Sequence, residues 1–470
     1  MARPPRQYDC DFVMNLLAIL GFLAANIVAV RRPGFALALV VSMFAVKQLV
    51  QAGNPWLAQT AMGSFLINAV VLVSALGAIA MRIVTQGREP FATTNIPWLA
   101  TVCLFGWSAL TCLWSPTLGA FDAVVTGMPY FVLGVLVAPF LVRDWRDVIQ
   151  FQEAFLWIGI PAATMILLSP DFTMKHGRLG LDLGGGVRTN PLAMGEFGGL
   201  LVIAAATLRR PGAGLTLARG VAIVLGAALA IRSGSRGQFL YAVVIAMVFF
   251  PVAAQIRNPR AAIATISGLI VIAVAASQLL DLLLEDPLEA KRFTFEEIAY
   301  GKSSASGRVT NILTLVKAWL SNPVAPLSGL GLGAFAYYSE SAGEPYSHVL
   351  FADAVFELGL PGAVLMSVIV WTSARAALGT LRAGSASATM RASAALVVAW
   401  WLYELLLVNK QGALWGVASL FPASAIMARL AAFACNAPNG EPAMLDPLPD
   451  SGMATIGKPS DAGDLRSAGT

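Results

Sequence analysis

Long runs of apolar residues, each about the length of a membrane span, follow one another along most of the chain. A helix needs about 20 mostly apolar residues to cross the bilayer core. The pattern predicts about 13 such segments, near residues 12–30, 34–50, 61–81, 97–114, 120–142, 148–168, 191–208, 214–231, 236–256, 261–281, 346–372, 391–408 and 413–433. One of the first two is a candidate for a re-entrant or fused segment. We therefore predict an all-α polytopic membrane protein with about 12–13 transmembrane helices.

Polar stretches divide this predicted membrane domain, which covers residues 1–435. Residues 169–190 form one predicted outer loop, and residues 282–345 form a much larger one. Within the large loop, apolar residues at 309, 312, 313, 316, 319 and 320 predict a short amphipathic helix lying on the membrane interface. After Cys435 the chain is rich in Pro, Gly, Ser, Asp and Ala, which predicts a disordered cytoplasmic tail over 436–470.

Composition excludes a soluble globular protein. Hydrophobic residues make up 57% of the chain and charged residues only 12%, about half the charged fraction of soluble domains. The four cysteines are dispersed and form no CxxC pair, so neither a disulfide framework nor a zinc site is expected. The first apolar run ends in Arg31-Arg32-Pro33 and not in a small-residue cleavage site, which predicts a retained helix. We expect no metal, no other cofactor and no nucleic-acid partner.

The distribution of arginine predicts the topology. Alternate loops carry the basic pairs and triplets Arg31/Arg32, Arg82/Arg88, Arg143/Arg146, Arg209/Arg210/Arg219, Arg257/Arg260 and Arg375/Arg382/Arg391. Basic loops face the cytoplasm, which places 169–190, 231–236, 282–345 and 409–412 on the outer side. Arg3 and Arg6 draw the N-terminus inward, against an odd number of spans, so the side of the N-terminus stays open.

Several positive charges remain on the predicted outer face, where few are expected. They are Lys175, Arg178, Arg188, Arg232, Arg236 and Arg308. Headgroups or nearby acids could simply neutralise each one, but charges kept beside a membrane are candidates for function. Ser233, Ser235 and two glycines lie with two of these arginines in one tight turn before an apolar helix. Such a turn suits a phosphate or pyrophosphate, although serines that cap the helix are the plainer interpretation.

A set of motifs spread over residues 95–430 resembles a known family. The motifs are Leu113-Trp114-Ser115-Pro116, Ser233-Gly234-Ser235-Arg236-Gly237, Gly307-Arg308 before Trp319, Asn322-Pro323, the alternating glycines Gly329, Gly331 and Gly333 ending at Phe335, and His348 followed by Glu357-x-Gly359-x-x-Gly362. In this order they resemble the O-antigen ligase and O-antigen polymerase superfamily.

That resemblance implies an inner-membrane glycosyltransferase of the class C type. Such an enzyme takes a glycan from undecaprenyl pyrophosphate on the periplasmic side and joins it to an acceptor without a metal ion. Carried onto this chain, it puts Arg236 and Arg308 at the lipid pyrophosphate and His348 at the acceptor hydroxyl. Arg188 matches a basic outer loop of the family, with Arg178 as its rival. The family usually has Asn after the histidine, where this chain has Val349.

The residue types favour the same chemistry independently. Preorganised arginines can stabilise the negative charge that grows on a leaving pyrophosphate, and an imidazole can accept or position a proton near neutral pH. Asp353 and Glu357 lie one helical turn apart and are candidates for orienting these groups. A structural role for Glu357 in the Glu-x-Gly bend is equally open. Tyr338 could stack on a sugar ring.

Two classes of function remain. In a transporter or flippase the arginines would only guide an anionic substrate, and internal repeats and broken helices at the midplane would be expected; neither is evident in the sequence. Within the enzyme class, a polymerase would extend an undecaprenyl-linked chain, with a chain-length regulator as a candidate partner, whereas a ligase would transfer the glycan to lipid A-core. The shared motifs do not separate them, and we favour polymerisation of O-antigen or exopolysaccharide.

Overall fold

The computed structural model describes residues 5–52, 54–86, 95–175, 178–182, 189–210, 212–256, 258, 260, 263, 267, 304–339, 346–416 and 419–435. At residues 5–12, 55, 236, 304–307, 411, 434 and 435 it describes the backbone alone. The predicted tail 436–470 and most of the predicted segment 261–281 lie outside these ranges. The described part of the predicted membrane domain is almost entirely helical.

Helices are numbered here in chain order. They are α1 (Pro5–Arg31), α2 (Pro33–Val41), α3 (Met43–Gln51), α4 (Pro55–Gln59), α5 (Ala61–Gln86), α6 (Ile96–Thr111), α7 (Gly119–Tyr130), α8 (Trp145–Leu168), α9 (Pro191–Thr207), α10 (Ala213–Arg232), α11 (Arg236–Ala254), α12 (Ser304–Ser321), α13 (Ala325–Ser328), α14 (Ala334–Tyr338), α15 (Leu350–Ala352), α16 (Gly359–Ala383), α17 (Ala388–Gln411) and α18 (Leu420–Cys435). A π-helical turn over Phe131–Val137 and a 3₁₀ turn over Ala138–Leu141 extend α7, and a π-helical turn over Asp353–Glu357 extends α15. Two further 3₁₀ turns occupy Gly384–Ala386 and Leu414–Gly416.

The helices confirm the predicted fold class. Among the described residues, eight helices are long and apolar enough to cross a membrane, and the bent pair α2 and α3 makes up to nine. Ile96–Thr111, Pro191–Thr207 and Leu420–Phe433 are shorter apolar helices. Many large apolar side chains on these helices are exposed, among them Phe65 and Val73, as expected where lipid replaces water. The chain is therefore an all-α polytopic membrane protein.

The predicted segment 34–50 is broken into two helices. Helices α2 and α3 meet at 69° around Ser42, whose hydroxyl donates to the carbonyl of Ala38 at 2.7 Å. A serine that bonds back to the preceding turn loosens the backbone ladder and bends a helix. Apolar periodicity continues through such a break, which is why the sequence pattern concealed it.

Two predicted spans begin later than expected. The helix predicted from residue 346 begins at Gly359, which has a φ of +67°. This left-handed backbone interrupts a right-handed helix, so Asp353–Glu357 forms a separate π-helical turn. The span predicted from residue 413 begins at Leu420, after a 3₁₀ turn.

The predicted outer loop 169–190 contains a small hairpin that the sequence pattern did not reveal. Strands β1 (Phe172–Met174) and β2 (Leu179–Leu181) pair antiparallel, with Thr173 opposite Gly180. All three residues of β2 are buried. Three-residue strands are too short to show alternation, so composition alone indicated a loop.

The described parts of the large loop form a compact unit, which we call the cap and define as residues 304–339 and 346–357. Its own hydrophobic core comprises Leu315, Ala318, Ala325, Leu330, Ala334, Phe335 and Ala352. A helix is present where the sequence predicted an amphipathic one, but α12 has two apolar faces. Ile312, Leu315 and Trp319 turn towards the cap core, whereas Val309, Leu313 and Leu320 are exposed. The exposed face suits a lipid interface.

Candidate active site

The alternating glycines bind the backbone of the Glu357 turn. The N–H of Leu330 donates to the carbonyl of Phe356 at 3.0 Å, and the N–H of Gly331 donates to the carbonyl of Glu357 at 2.9 Å. Gly329 has a φ of +81°, and a Cβ atom there would lie 2.1 Å from the Glu357 carbonyl oxygen. Only glycine permits this conformation and this approach. The backbone of the glycine run is therefore hydrogen-bonded directly to the Glu357 turn.

Glu357 strengthens this docking through its side chain. Its two carboxylate oxygens accept the N–H groups of Gly333 and Phe335, each at 2.9 Å. The side chain is almost fully buried, and burial raises the pKa of this carboxyl from 4.5 to about 7, against the smaller lowering effect of the two N–H donors. Both carboxylate oxygens accept hydrogen bonds from the protein itself. This favours a structural role for Glu357 over direct substrate binding, two roles that the sequence left open.

The Leu113–Pro116 motif holds the other side of the glycine run. Ser115 donates from its hydroxyl to the carbonyl of Leu332 at 2.7 Å, and the N–H of Leu332 donates to the hydroxyl of Thr111 at 3.2 Å. A Cβ atom on Gly331, whose φ is +95°, would lie 2.5 Å from the Ser115 Cα. Two motifs whose contacting residues Ser115 and Leu332 are 217 positions apart in sequence are therefore parts of one joint between the cap and α6.

His348 lies in a tight turn held by Asp353. The buried carboxyl of Asp353 accepts the hydroxyl of Ser347 in a very short hydrogen bond, and the Ser347 hydroxyl in turn accepts the N–H of Val349 at 3.1 Å. His348 itself has a φ of +65°, a conformation that is uncommon outside glycine and is often found at functional sites. The Tyr346 ring meets the imidazole edge-to-face at 4.4 Å. The turn thus presents His348 in a fixed orientation.

Burial also perturbs Asp353. Desolvation raises the pKa of its carboxyl well above 3.8, the nearby negative charge of Glu357 raises it further, and the hydrogen bond from Ser347 acts in the opposite direction. The fully buried side chain contacts the histidine turn through Ser347. Asp353 therefore supports the backbone turn that carries His348.

Helix α12 brings Arg308 to this turn. Asn311, within one helical turn of Arg308, lies with its side-chain nitrogen 3.5 Å from the carbonyl oxygen of Ser347. Arg308 also shares the helix face of Ile312 and Leu315, which packs into the cap core. Half-burial lowers the pKa of its guanidinium, and the charge of Tyr241 on α11 partly opposes that shift. Helix α12 therefore contacts the His348 turn through Asn311 and brings Arg308 within electrostatic range of Tyr241 on α11.

The turn before α11 is tied to two other helices. The Gln238 side chain donates to the carbonyl of Leu192 at 2.7 Å, and its oxygen lies 3.3 Å from the Ser233 hydroxyl. Gly195 leaves the space for both, since a Cβ atom there would lie 1.8 Å from the Gln238 oxygen. Helix α9 thereby fixes the backbone from Ser233 to Arg236, the first residue of α11.

Lys410 is a cation at this turn that the sequence reasoning missed. Its Nζ lies 2.9 Å from the hydroxyl oxygen of Ser235, next to Arg236. A Cβ atom on Gly237 would lie 2.3 Å from the same Nζ, so the glycine of the Ser-Arg-Gly motif leaves room for the lysine. The signal was present, because residues 409–412 were assigned to the same outer side as 231–236. It was weak because a lone lysine ending an apolar helix is usually an interfacial anchor.

A family comparison bears on this arrangement. Residues 221–367 match the family model described as O-antigen ligase. This segment is similar to an O-antigen ligase domain. The match confirms the resemblance to the O-antigen ligase and polymerase superfamily, and it contains Arg232, Arg236, Arg308 and His348 together with the whole cap.

Other comparisons add little. One similar solved chain comes from a structure titled "Structural coordination of polymerization and crosslinking by a peptidoglycan synthase complex". The likeness has 13% sequence identity and a TM-score of 0.43, and it covers 72% of this chain and 97% of that chain. No curated protein matches this one.

The remaining predicted site residues lie both inside and outside the matched segment 221–367. Arg232 ends α10, and its buried Nε has no hydrogen-bond partner among the described residues. Arg178 is exposed at the tip of the hairpin, whereas Arg188 lies outside the described residues. Tyr338 packs on the cap core and meets Tyr337 edge-to-face at 5.0 Å. In the described part of the chain, no three His, Cys, Asp or Glu side chains are grouped as metal ligands.

Proposed function

We propose that this protein is an inner-membrane glycosyltransferase that polymerises O-antigen or exopolysaccharide repeat units on the periplasmic side. Its donor would be an undecaprenyl-pyrophosphate-linked oligosaccharide. The observation that carries the proposal is the position of Arg308 in the segment that matches the O-antigen ligase family model. Helix α12 contacts the His348 turn through Asn311 and brings the Arg308 guanidinium within electrostatic range of Tyr241 on α11, the helix that begins at Arg236. A cation on the helix that contacts the histidine turn fits a leaving pyrophosphate near an acceptor hydroxyl.

The proposed reaction is a displacement at the anomeric carbon of the donor sugar. The acceptor hydroxyl oxygen forms the new bond to this carbon while the bond from the carbon to the pyrophosphate oxygen breaks. The bonding electrons leave with the pyrophosphate, and the hydroxyl proton passes to His348. Transition-state charge therefore grows on the pyrophosphate, and fixed cations there accelerate the reaction because they need no reorganisation.

Arg236 and Arg308 would bind the pyrophosphate, and Lys410 would supply a third positive charge beside Ser235. Arginine presents a planar fork that matches phosphate oxygens, and lysine acts as a point charge. In this proposal the three cations take the part that a metal ion plays in other glycosyltransferases. Arg178, Arg188 and Arg232 would attract the anionic donor from further out.

His348 would accept or position the proton of the acceptor hydroxyl. Its support comes from the chain Asp353 to Ser347 to the Val349 N–H, which fixes the turn on both sides of the imidazole. Glu357 would act one step further away by docking the glycine run against the same π-helical turn. Tyr338 and Tyr346 would offer aromatic faces to sugar rings.

The acceptor distinguishes two enzymes with the same chemistry. The description of the matching family names a ligase, and a ligase would transfer the glycan to lipid A-core. A polymerase would instead transfer it to another undecaprenyl-linked chain and would work beside a chain-length regulator. We favour the polymerase, and the products decide the question.

The test uses purified protein in lipid nanodiscs with an undecaprenyl-pyrophosphate-linked oligosaccharide as donor. A ladder of longer lipid-linked products with that lipid alone supports a polymerase. A single product that forms only after lipid A-core is added supports the ligase. If neither reaction releases undecaprenyl pyrophosphate without its glycan, and if labelled donor crosses the membrane of proteoliposomes, the protein is a transporter instead.

The broken pair α2 and α3 is the specific observation that keeps a transporter as the competing outcome, because broken helices are common in transporters. Its lysine, Lys47, donates to the Tyr130 hydroxyl at 3.1 Å. The family match covers neither residue. Because the break between α2 and α3 lies outside the segment that matches the family model, we assign it a structural role in the proposed enzyme.

A further inference from the structure

Two carboxyl groups lie close together within the membrane domain. Glu196 lies in the second turn of α9, and Glu404 lies in α17. The hydroxyl of Ser419, just before α18, donates to Glu196 Oε1 at 2.7 Å. The same hydroxyl interacts with Glu404, and the two carboxyls interact electrostatically with each other. Residues that are far apart in sequence thus bring three oxygen-bearing side chains to one place.

The described residues provide no countercharge for this pair. Among them, neither carboxyl forms an ion pair with a lysine, an arginine or a histidine. Glu404 is only 1% exposed, and its buried Oε1 has no hydrogen-bond partner in the described part of the chain. Two neighbouring carboxylates that are largely shielded from water cannot both stay ionised unless a positive charge binds beside them. The pair therefore requires a bound proton or another cation.

The titratable groups on the surrounding helices do not neutralise the pair. Tyr403 interacts with both carboxyls, but a tyrosine is neutral near pH 7. Arg232, at the end of α10, acts on neither carboxyl. The other groups have partners elsewhere: Lys47 at the Tyr130 hydroxyl, Asp147 at Arg82, Glu153 at Arg210, Arg219 at the Ala205 carbonyl, Lys410 at Ser235, Tyr241 near Arg308 and Arg429 over the Phe140 ring.

A small cavity borders the pair where neighbouring helices bend, unwind or begin. Its volume is about 30 Å³, enough for one or two water-sized ligands. Its wall includes Glu196 and Ser419, together with Val41 and Met43 at the bend between α2 and α3 and Gly134 in the π-helical turn after α7. Irregular backbone at membrane depth is tolerated where it lines a cavity, and intramembrane ion sites are commonly built at such interruptions. The cavity therefore gives a small cation a place beside Glu196.

We propose that Glu196, Glu404 and Ser419 form a site for a monovalent cation, which is either a proton or a sodium ion. The site lies below the candidate active site, because Glu404 precedes Lys410 by six residues, roughly 9 Å along α17. Glu196 likewise lies one turn beyond Leu192, which accepts the Gln238 side chain. A bound cation would join α9 to α17 and stabilise both. Its binding does not depend on the proposed glycosyl transfer.

The test measures the unfolding temperature of the full-length protein in nanodiscs over a range of pH on both sides of neutrality. One series contains sodium chloride, and the other contains N-methylglucamine chloride at the same ionic strength. Stabilisation by sodium, strongest at high pH where few protons compete, identifies a sodium ion. A proton held only by the folded protein stabilises it less as the pH rises, equally in both salts.

The deciding variant is Glu404→Gln, which keeps the size of the side chain and removes one ionisable group. At a sodium site it should weaken the apparent sodium affinity at least roughly tenfold. At a proton site the neutral amide imitates the protonated carboxyl, so the variant should lose less stability than the wild type as the pH rises. Glu196→Gln should behave in the same way and serves as the second variant.

The matched control is Asp122→Asn, which removes an exposed carboxyl on α7. It should respond to sodium and to pH like the wild type. The control and both glutamine variants retain Glu357, so the pH dependence of that carboxyl cancels when they are compared. Responses of Glu404→Gln and Glu196→Gln equal to those of Asp122→Asn, in both salts and at every pH, would overturn the proposal.

Discussion

Lys410 lies with its Nζ 2.9 Å from the Ser235 hydroxyl oxygen, which joins the end of α17 to the turn that begins α11. The two residues are 175 positions apart, and neither apolar periodicity nor the quoted motifs connect them. The contact adds a cation to a turn already rich in arginine. It also explains why glycine follows Arg236, because a side chain at Gly237 would displace the ammonium group.

Replacing Lys410 with Ala should weaken donor binding. If the ammonium group contributes one charge to pyrophosphate recognition, its loss should raise the KM for the lipid donor roughly tenfold, with a smaller effect on the KM for the acceptor. Steady-state kinetics in nanodiscs measure both constants. Lys317→Ala removes an exposed lysine on α12 and serves as the control. Equal changes in the two variants would remove Lys410 from the site.

Gly331→Ala should detach the glycine run from α6. The residue has a φ of +95°, and its new Cβ atom would lie 2.5 Å from the Ser115 Cα. We expect a loss of stability of about 2 kcal/mol or more from strain and overlap, together with lower activity, as measured by thermal unfolding and product formation. Gly106→Ala is the control, since nothing lies within 4 Å of the new Cβ atom. A wild-type unfolding temperature for Gly331→Ala would contradict the described joint.

Glu357 should make stability depend on pH. The folded-state pKa of its carboxyl is about 7 and exceeds the ordinary value of 4.5. Its contribution to the free energy of unfolding is therefore complete below pH 4.5 and is lost as the pH rises to about 7, by at most about 1.4 kcal/mol per pH unit. Glu357→Gln should flatten the curve of unfolding temperature against pH within this window. An unchanged slope would show that another group titrates there.

The predicted topology can be tested by cysteine labelling. In a cysteine-free background, Ser321→Cys in the cap should react with a membrane-impermeant maleimide added to intact cells. Ser385→Cys, after the far end of α16, should react only after permeabilisation. The positive-inside pattern gives this expectation. The reverse pattern would place the cap in the cytoplasm and exclude an undecaprenyl-linked periplasmic donor.

Much of the fold could be predicted because apolar periodicity reports directly on membrane burial. The bends at Ser42 and Gly359 could not, since they depend on one side-chain hydrogen bond and on one left-handed residue within otherwise apolar runs. For the candidate site, the motifs singled out Arg308, His348 and Glu357 from order and spacing. The carboxylate bonds from Glu357 to Gly333 and Phe335 are tertiary contacts, and only the folded chain distinguishes such a role from substrate binding.

Arg308 should be replaceable only in part. Arg308→Ala should abolish polymer formation while the protein remains inserted and folded, because water cannot supply the charge and geometry of a guanidinium fork. Arg308→Lys should recover a fraction of the rate, since it keeps the charge and loses the paired donors. Product length on a gel and membrane abundance of each variant check this expectation. Full activity of Arg236→Ala/Arg308→Ala would exclude both arginines from the reaction.

The most direct test of the proposed function is the effect of His348→Ala on single-turnover glycosyl transfer and on donor affinity in the same preparation. If His348 takes or positions the acceptor proton, the transfer rate should fall by roughly two to four orders of magnitude, while donor affinity and unfolding temperature stay near those of the wild type. His348→Gln should fold equally well and remain similarly slow. Near wild-type turnover in His348→Ala, or a loss of activity matched by loss of folded protein and donor binding, would contradict the proposed catalytic role.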